Sequence, residues 1–210
     1  MSRGPAEFRR AIRDRHPRLR EAILADARAN ARYRGERHEF RSGRDALIQM
    51  LRLVWVSDAF LAQACYRLRV SLQTREVPVL PRLLHRLAMT SAQVSIGDPV
   101  VIAPGLYIVH GQVVIDGLVE IGRGVVIAPF VTIGLRAGNL QGPTIEDGVS
   151  IGTGAKVIGP VHIGAGATIG ANAVVVSDVS AGATVVGVPA RPIGGPARTA
   201  ESPGGPAGIG

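Results

Sequence analysis

An aliphatic residue recurs at every sixth position in the second half of the chain. The positions form three runs: 96, 102 and 108; then 115, 121, 127 and 133; then 145, 151, 157, 163, 169 and 175. A period of six suits neither a hairpin ladder nor a heptad coil, and it is the signature of a parallel β-helix. Three short strands make one coil of about 18 residues, with the recurring side chain in the core. Thirteen repeats therefore predict a little over four coils.

The period is broken at a histidine. The spacing from Ile108 to Ile115 is seven instead of six, and His110 lies beside the additional residue. A bulge turns a side chain away from the stack of strands. Because an imidazole exchanges a proton near neutral pH, His110 is a candidate general base. The alternative is a corner histidine that bonds only to the backbone. His162, next to Ile163 on the outward phase, is expected to be a surface residue.

A second break, between Ile133 and Ile145, contains the segment LRAGNLQGP. A solenoid can extend a loop from a corner without disturbing its core, and such loops are usually functional. We therefore expect an excursion at residues 135–143. After Val175 the pattern decays, and a flexible tail rich in Gly, Pro and Ala is predicted for residues 191–210.

The first ninety residues differ in composition. They contain 19 of the 24 basic residues but only three of the 27 glycines, which separates a helical domain at 1–90 from a β-helix domain at 91–190. Helical patterns cover residues 5–33 with a break at Pro17, residues 42–72 with a restart at Ser57, and residues 82–90. The 42–72 stretch begins with a capping signal. Three aromatic residues and the single cysteine are expected to pack inside this domain: Trp55, Phe60, Tyr66 and Cys65.

The charge pattern limits the classes of partner. The arginines alternate with acidic residues, as on a solvated helix face, which argues against nucleic-acid binding. A basic surface could instead attract an anionic cofactor. The apolar stretch at 46–66 is interrupted by Arg52 and Asp58, so no membrane span is expected. The Arg-rich start has no apolar signal segment, and a cytoplasmic location is expected.

The segments PTIEDGVSIGTGAKVIGPVHIGAGATIGANAVVVSDV and TVVGVPARPI resemble the serine O-acetyltransferase family of hexapeptide acyltransferases. Earlier segments follow the same family from residue 58 onward: FLAQACYRLR, LPRLLHRLA and QVSIGDPVVIAPGLYIVHG. The resemblance implies an α+β fold, with an N-terminal helical domain followed by a left-handed parallel β-helix. It also implies a homotrimer with active sites between subunits, which the helical domains could join into a dimer of trimers. The implied reaction moves an acetyl group from acetyl-CoA to the hydroxyl of a small-molecule alcohol.

The resemblance assigns residues to that reaction. His110 matches the catalytic histidine, which takes the proton of the acceptor hydroxyl as its oxygen attacks the thioester. Ser95 stands where the family has an Asp that supports the imidazole, and we expect it to orient His110 by a hydrogen bond. Asp98 or Asp116, from this chain or a neighbouring one, could supply the missing carboxylate. Contacts to CoA are implied for Gly134, Gly152, Thr153, Gly170 and Ala171, and Arg191 could meet a CoA phosphate.

Several positions that bind the acceptor in this family carry different residues here. Val109 replaces an Asp, and Gln141-Gly142 replaces the Arg-His that helps hold the acceptor's carboxylate. Gln141 and Asp45, in the segment GRDAL, remain the candidate acceptor-binding residues. Burying an unpaired charge costs several kcal/mol, so L-serine is expected to be a poor substrate. A neutral or larger alcohol is preferred, and the loop at 135–143, about two residues short, could leave room for one.

Other functions remain open. One alternative is an O-acetyltransferase of a sugar, an antibiotic or another non-amino-acid alcohol, and a third is a non-catalytic trimeric scaffold. A metal-dependent carbonic anhydrase needs three histidine ligands, whereas only His110 and His162 lie in the β-helix, so no metal is expected. Family members that dock into a cysteine synthase end in Ile. Here Ile209 is followed by Gly210, so no tight complex is expected.

Overall fold

The computed structural model describes residues 12–193. Four helices come first: α1 Leu19–Tyr33, α2 Gly43–Val56, α3 Asp58–Gln73 and α4 Leu80–Ala92. The last helix ends at Ala92 and the first strand begins at Val94, so the change of structure falls within a few residues of the predicted boundary at 90. Residues 1–11, where part of the first helical pattern was placed, lie outside the described residues, as does the tail from 194 onward.

Serine side chains cap the N-termini of two helices. Ser42 Oγ accepts a hydrogen bond of 3.2 Å from the Asp45 N–H, and Ser57 Oγ accepts one of 3.2 Å from the Phe60 N–H. Each side chain satisfies one of the N–H groups that a helix start leaves without a partner. The predicted cap and the predicted restart are both confirmed. A single extended residue, Ser57, separates α2 from α3.

The helical domain has a small core of its own. Ala27, Leu53 and Phe60 are buried against one another, and Cys65 and Tyr66 are buried where α3 meets the β-helix. Burial raises the pKa of the Cys65 thiol.

The packing role predicted for Trp55 is wrong, because its side chain is 89% exposed. Helix α2 turns Leu53 inward. A residue two positions further on is rotated by about 200° and points to the opposite side. Trp55 thus lies on an exposed apolar face of α2 that also contains Leu47, Ile48 and Leu51.

The strands form three sheets. Each complete coil contributes one strand to each sheet. The first sheet contains β1 Val94–Ile96, β4 Val113–Ile115, β7 Thr132–Gly134, β10 Lys156–Ile158 and β13 Val174–Val175. The second contains β2 Val101–Ile102, β5 Leu118–Ile121, β8 Gln141–Ile145 and β11 His162–Ile163. The third contains β3 Tyr107–Ile108, β6 Val126–Ile127, β9 Ser150–Ile151, β12 Thr168–Ile169, β14 Thr184–Val186 and β15 Arg191–Pro192. All pairings are parallel except that of β14 with β15.

The side chains that recur every six residues form the core of this solenoid. All thirteen recurring aliphatic residues are at most 3% exposed. The first sheet has five strands, as the thirteen positions of a little over four coils require, and pairing continues beyond Val175 in the other two sheets. Val179 bridges to Ile163, and β14 pairs with β12 although the sequence period has decayed there. Arg191, predicted as the start of the tail, pairs with Val186 in the final strand.

A buried ion pair attaches the helices to the first coil. Asp26 of α1 accepts hydrogen bonds from Arg67 Nε at 2.8 Å and from the Gly105 and Leu106 N–H groups at 2.8 and 3.0 Å. Arg67 of α3 also donates to the Ile102 and Ala103 carbonyls at 2.6 and 2.8 Å. Every polar group of this junction is paired, as burial requires. The junction sets where α1 and α3 lie over the β-helix.

Candidate active site

One column of turns contains the histidine. We call it the His110 edge: the turns at 109–112, 128–130, 152–154 and 170–172, which lead from the third sheet back to the first. Each turn places one residue in the left-handed region, and these residues are Gln112, Phe130, Gly154 and Asn172. The turns stack by hydrogen bonds, from the Gly154 N–H to the Pro129 carbonyl at 2.9 Å and from the Asn172 N–H to the Thr153 carbonyl at 2.8 Å.

The additional residue of the sequence lies in the first of these turns. In later coils the left-handed residue follows the third-sheet aliphatic residue by three positions, as Phe130 follows Ile127. In the first coil Gln112 follows Ile108 by four. The pairing of β1 with β4 is in unbroken register. The structure therefore has a longer turn in place of the predicted bulge. The extra residue lies between the third sheet and the first, and the strand pairing itself is regular.

His110 lies on an exposed cleft between this turn and the helical domain. The cleft has a volume of about 360 Å³ and is lined by the end of α4, the start of α3 and the turn 109–112. The Gln112 N–H donates to the Ala92 carbonyl at 2.8 Å, which holds the turn against α4. A Cβ atom at Gly111 would overlap the Ala92 carbonyl, so only glycine fits there. His110 itself is exposed, next to this closely packed part of the turn.

Two charged side chains share the cleft with His110. They are Arg34, at the end of α1, and Asp58, in the first turn of α3. Arg34 Nε donates to Glu36 at 3.0 Å. Asp58 is exposed and has no side-chain partner among residues 12–193. The sequence analysis treated Asp58 as a charge that interrupts an apolar stretch and as part of the helix restart at Ser57, and not as a site residue. Its position in the cleft depends on how α3 docks, for which the sequence holds no local signal.

The residues expected to support the imidazole lie elsewhere in this chain. Ser95, in the middle of β1, is paired opposite Val114 and does not line the cleft. Asp98 and Asp116 follow first-sheet strands, at the turns that lead to the second sheet. Asp98 accepts from Gln73 at 3.0 Å. Within one chain, none of the three is brought to the His110 edge, and their contribution across a subunit boundary stays a prediction.

The predicted acceptor residues are also separate from the cleft. Asp45 is bound by both Arg37 Nη groups at 2.6 and 2.7 Å and by the Arg41 N–H, and these contacts lower the pKa of its carboxyl. Gln141 is the first residue of β8, and its N–H donates to Asn139 Oδ1 at 2.9 Å. The excursion is accordingly shorter than predicted and spans residues 135–140, because the segment from Gln141 to Pro143 belongs to a strand.

Four of the five residues proposed to touch CoA lie on the His110 edge: Gly152, Thr153, Gly170 and Ala171. A Cβ at Gly152 would come within 2.7 Å of the Ala171 nitrogen, so close stacking of the coils accounts for that glycine. Gly134 ends β7 at a different corner, and a Cβ there would be 3.7 Å from the nearest atom. Packing therefore accounts for Gly152 but not for Gly134.

Sequence reasoning missed two further residues: Phe130, on this edge, and Lys156 of β10, which bonds to it. Phe130 lies one coil beyond His110, with a φ of 63° and a side chain that is 54% exposed. A bulky residue in this conformation is strained. Lys156 Nζ donates to the Phe130 and Gly154 carbonyls at 2.9 and 2.8 Å and fastens two successive turns together. Neither residue has a signal in the six-residue period, which reports only the inward positions.

Comparison with known proteins first identifies the repeat. The family described as Bacterial transferase hexapeptide (six repeats) matches residues 142–177. The β-helix thus contains the hexapeptide repeat that this family of transferases shares.

Comparisons with individual proteins narrow this class. A serine acetyltransferase of Helicobacter pylori strain J99 is 41% identical over 136 residues, which is 63% of this chain and 79% of that protein. One of Synechococcus elongatus is 38% identical over 138 residues, or 64% of this chain, which spans only 56% of that relative. The chain belongs to the serine acetyltransferase family.

Solved structures agree with this assignment. A soybean serine acetyltransferase complexed with serine superposes with a TM-score of 0.69 at 32% identity, covering 84% of this chain and 70% of the other. A serine acetyltransferase in complex with CoA gives a TM-score of 0.68 at 28% identity, covering 88% and 73%. The predicted fold class, a helical domain followed by a left-handed parallel β-helix, is confirmed.

Two other features bear on the alternatives. Within residues 12–193 no group of three or more His, Cys, Asp or Glu side chains is arranged to hold a metal ion, and no helix is long and apolar enough to cross a membrane. His162 lies on the surface, with its Nε2 3.1 Å from Glu146 Oε1.

Proposed function

We propose that the protein is an acetyl-CoA-dependent O-acetyltransferase in which His110 is the general base. The observation that carries this proposal is the widened turn, which places an exposed histidine at the mouth of a cleft and at the head of the His110 edge. A neutral imidazole removes the proton of an acceptor hydroxyl as its oxygen attacks the thioester carbonyl. The thiolate of CoA then leaves and takes up a proton. Positioned base catalysis of this kind contributes about 10²–10⁴ in rate.

The donor is proposed to lie along the His110 edge. Thr153 and Ala171 belong to the later turns of this edge, and the exposed ring of Phe130 lies between them and His110 along the column. Arg191, paired with Val186 at the far end of the third sheet, remains the candidate partner of a CoA phosphate. A family structure in complex with CoA supports acetyl-CoA as the donor.

The acceptor is a small alcohol. The family's name supports L-serine, but the positions that differ from the family are neutral here: Ser95, Val109, Gln141 and Gly142. An O-acetyltransferase of a sugar, an antibiotic or another non-amino-acid alcohol therefore stays the alternative. Release of CoA from acetyl-CoA, measured against a panel of amino acids, sugars and small alcohols, tests the proposal. A purified, folded protein that neither binds CoA nor transfers acetyl to any of them would favour the scaffold function.

We further propose that the protein is a homotrimer, in which a neighbouring β-helix closes the His110 edge. The exposed apolar face of α2, which contains Trp55, is suited to pairing two trimers through their helical domains. Light scattering of the wild type and of Trp55→Glu distinguishes the states, because the substitution should reduce a hexamer to a trimer. Ile209 and Gly210, on which the expectation about a cysteine synthase complex rests, lie outside the described residues.

A further inference from the structure

A basic cavity lies between the segment that leads into α1 and the last turns of α3. It has a volume of about 320 Å³ and shares no lining residue with the His110 cleft. No acidic side chain of residues 12–193 is among those that line it, whereas five basic side chains are: Arg13, His16, Arg18, Arg67 and Arg75. Charges of one sign that converge on a concave surface attract ligands of the opposite sign.

Within the described part of the chain, two of these cations have no acidic partner. Arg67 already belongs to the buried junction, and Arg13 Nη1 lies 3.6 Å from the exposed carboxylate of Glu76. Arg18 and Arg75 are exposed and form no ion pair within residues 12–193. Their guanidinium groups are therefore available to a ligand that enters the cavity.

Neutral donors and an unsatisfied polar atom complete the wall of the cavity. Helix α1 begins there at Leu19, and its N-cap Arg18 makes no side-chain bond to the first turn, so the N–H groups of the helix start are free to bind an anion. Ser71 of α3 adds a hydroxyl. The Nδ1 atom of His16 is buried and has no hydrogen-bond partner among residues 12–193, although buried polar atoms ordinarily have one. Burial and three nearby arginines lower the pKa of His16 to about 4, and the arginines act through the positive potential at this wall.

We propose that this cavity is a binding site for a tetrahedral oxyanion, phosphate or sulfate, either free or carried by a small molecule. Arg18 and Arg75 hold the group by charge-assisted hydrogen bonds, and the start of α1 adds neutral donors. A guanidinium matches two oxygen atoms of such a group, which favours it over a monatomic anion. The volume lies in the range of small-molecule sites, and Pro17 and Val70 add apolar lining, so an organic carrier of the group should bind more tightly than the free ion.

Four probes test the chemistry of the ligand: inorganic phosphate, sulfate, glycerol 3-phosphate and glycerol. Each is titrated calorimetrically into the full-length protein, in buffer whose ionic strength is held constant with sodium chloride. The three anions should bind saturably and glycerol should not, with glycerol 3-phosphate the tightest. Equal affinities of phosphate and glycerol 3-phosphate would support the site and identify the free ion as its ligand. If none of the anions binds saturably, the proposal is wrong.

Substitutions test the two arginines. Arg18→Gln and Arg75→Gln should each weaken the binding of phosphate and of glycerol 3-phosphate by about 3- to 10-fold, because a charge-assisted hydrogen bond is partly screened where the arginine is exposed. Arg86→Gln is the matched control, since Arg86 of α4 is also an exposed cation of the helical domain but lies outside the cavity. Equal affinities in all three variants would show attraction by the net charge of the domain alone and would overturn the proposal.

Competition with CoA separates this cavity from the proposed donor site, because CoA itself carries phosphate groups. The binding of glycerol 3-phosphate that depends on Arg75 should persist when CoA is saturating, since the cavity and the His110 edge have no residue in common. This result would support the site whether or not the protein transfers acetyl groups. Displacement of that binding by CoA would place the anion in the donor site and overturn the inference.

Discussion

Neutralising Asp26 should loosen the junction that holds the helical domain over the active site. Asp26 and Arg67 are 1% and 4% exposed, so Asp26→Asn leaves a guanidinium buried without its counterion. The oxygen of the new amide could still accept from the Gly105 and Leu106 N–H groups, but the amide nitrogen would face Arg67 Nε, and two donors would oppose each other. Breaking a buried pair on one side costs about 3–5 kcal/mol. We expect a loss of that size in the free energy of unfolding.

Urea unfolding followed by circular dichroism measures this loss, at fixed protomer concentration because an oligomer's stability depends on it. Glu120→Gln is the control. It removes the half-exposed pair between Arg15 and Glu120, which should be worth less than about 1 kcal/mol. If the free energy of unfolding of Asp26→Asn lies within about 1 kcal/mol of the wild-type value, the argument that the buried pair stabilises the junction is refuted.

Three further outcomes are expected. Gly152→Ala should be destabilised by more than about 1 kcal/mol, because its Cβ would lie 2.7 Å from the Ala171 nitrogen. Gly134→Ala is the control and should unfold like the wild type. Equal midpoints of the two variants in thermal unfolding would refute the packing argument. Burial, with Arg67 and Arg69 nearby, lowers the pKa of His16 from 6.5 to about 4, so its contribution to stability is complete above pH 6.5 and is lost as the pH falls toward 4. That loss should be about 1–3 kcal/mol after allowance for partial exposure, and unfolding of His16→Gln between pH 4 and 7 should lack it. The kcat/KM for L-serine should stay below about 10⁴ M⁻¹s⁻¹, and a higher value would show that the neutral positions do not weaken this acceptor.

The period of six was sufficient to predict the solenoid, because each recurring side chain is buried by its own coil and by the coils next to it. Local signals also located Ser42 and Ser57, since a helix cap bonds to a backbone group three residues away. The loss of phase at His110 located the turn that opens on the cleft, although the extra residue lies in a corner and not in a strand.

Long-range packing explains what the sequence did not predict. Trp55 is apolar and belongs to an amphipathic pattern, but which face of α2 is covered depends on where α1 and α3 dock. Asp58 reaches the His110 cleft only because the buried junction places α3 over the first coil. Gln141 was predicted in a loop, yet pairing with Leu118 draws it into β8 at the one irregular step of that ladder.

The most direct test of the proposed mechanism is the rate of acetyl transfer by His110→Ala. The turn at 109–112 is exposed and its backbone contact is made by Gln112, so the variant should fold and assemble as the wild type does. CoA affinity, measured by calorimetry, should be unchanged. With the best acceptor of the panel, kcat/KM should fall by about 10²–10⁴. A correctly folded variant that transfers acetyl groups at the wild-type rate would contradict the assignment of His110 as the base.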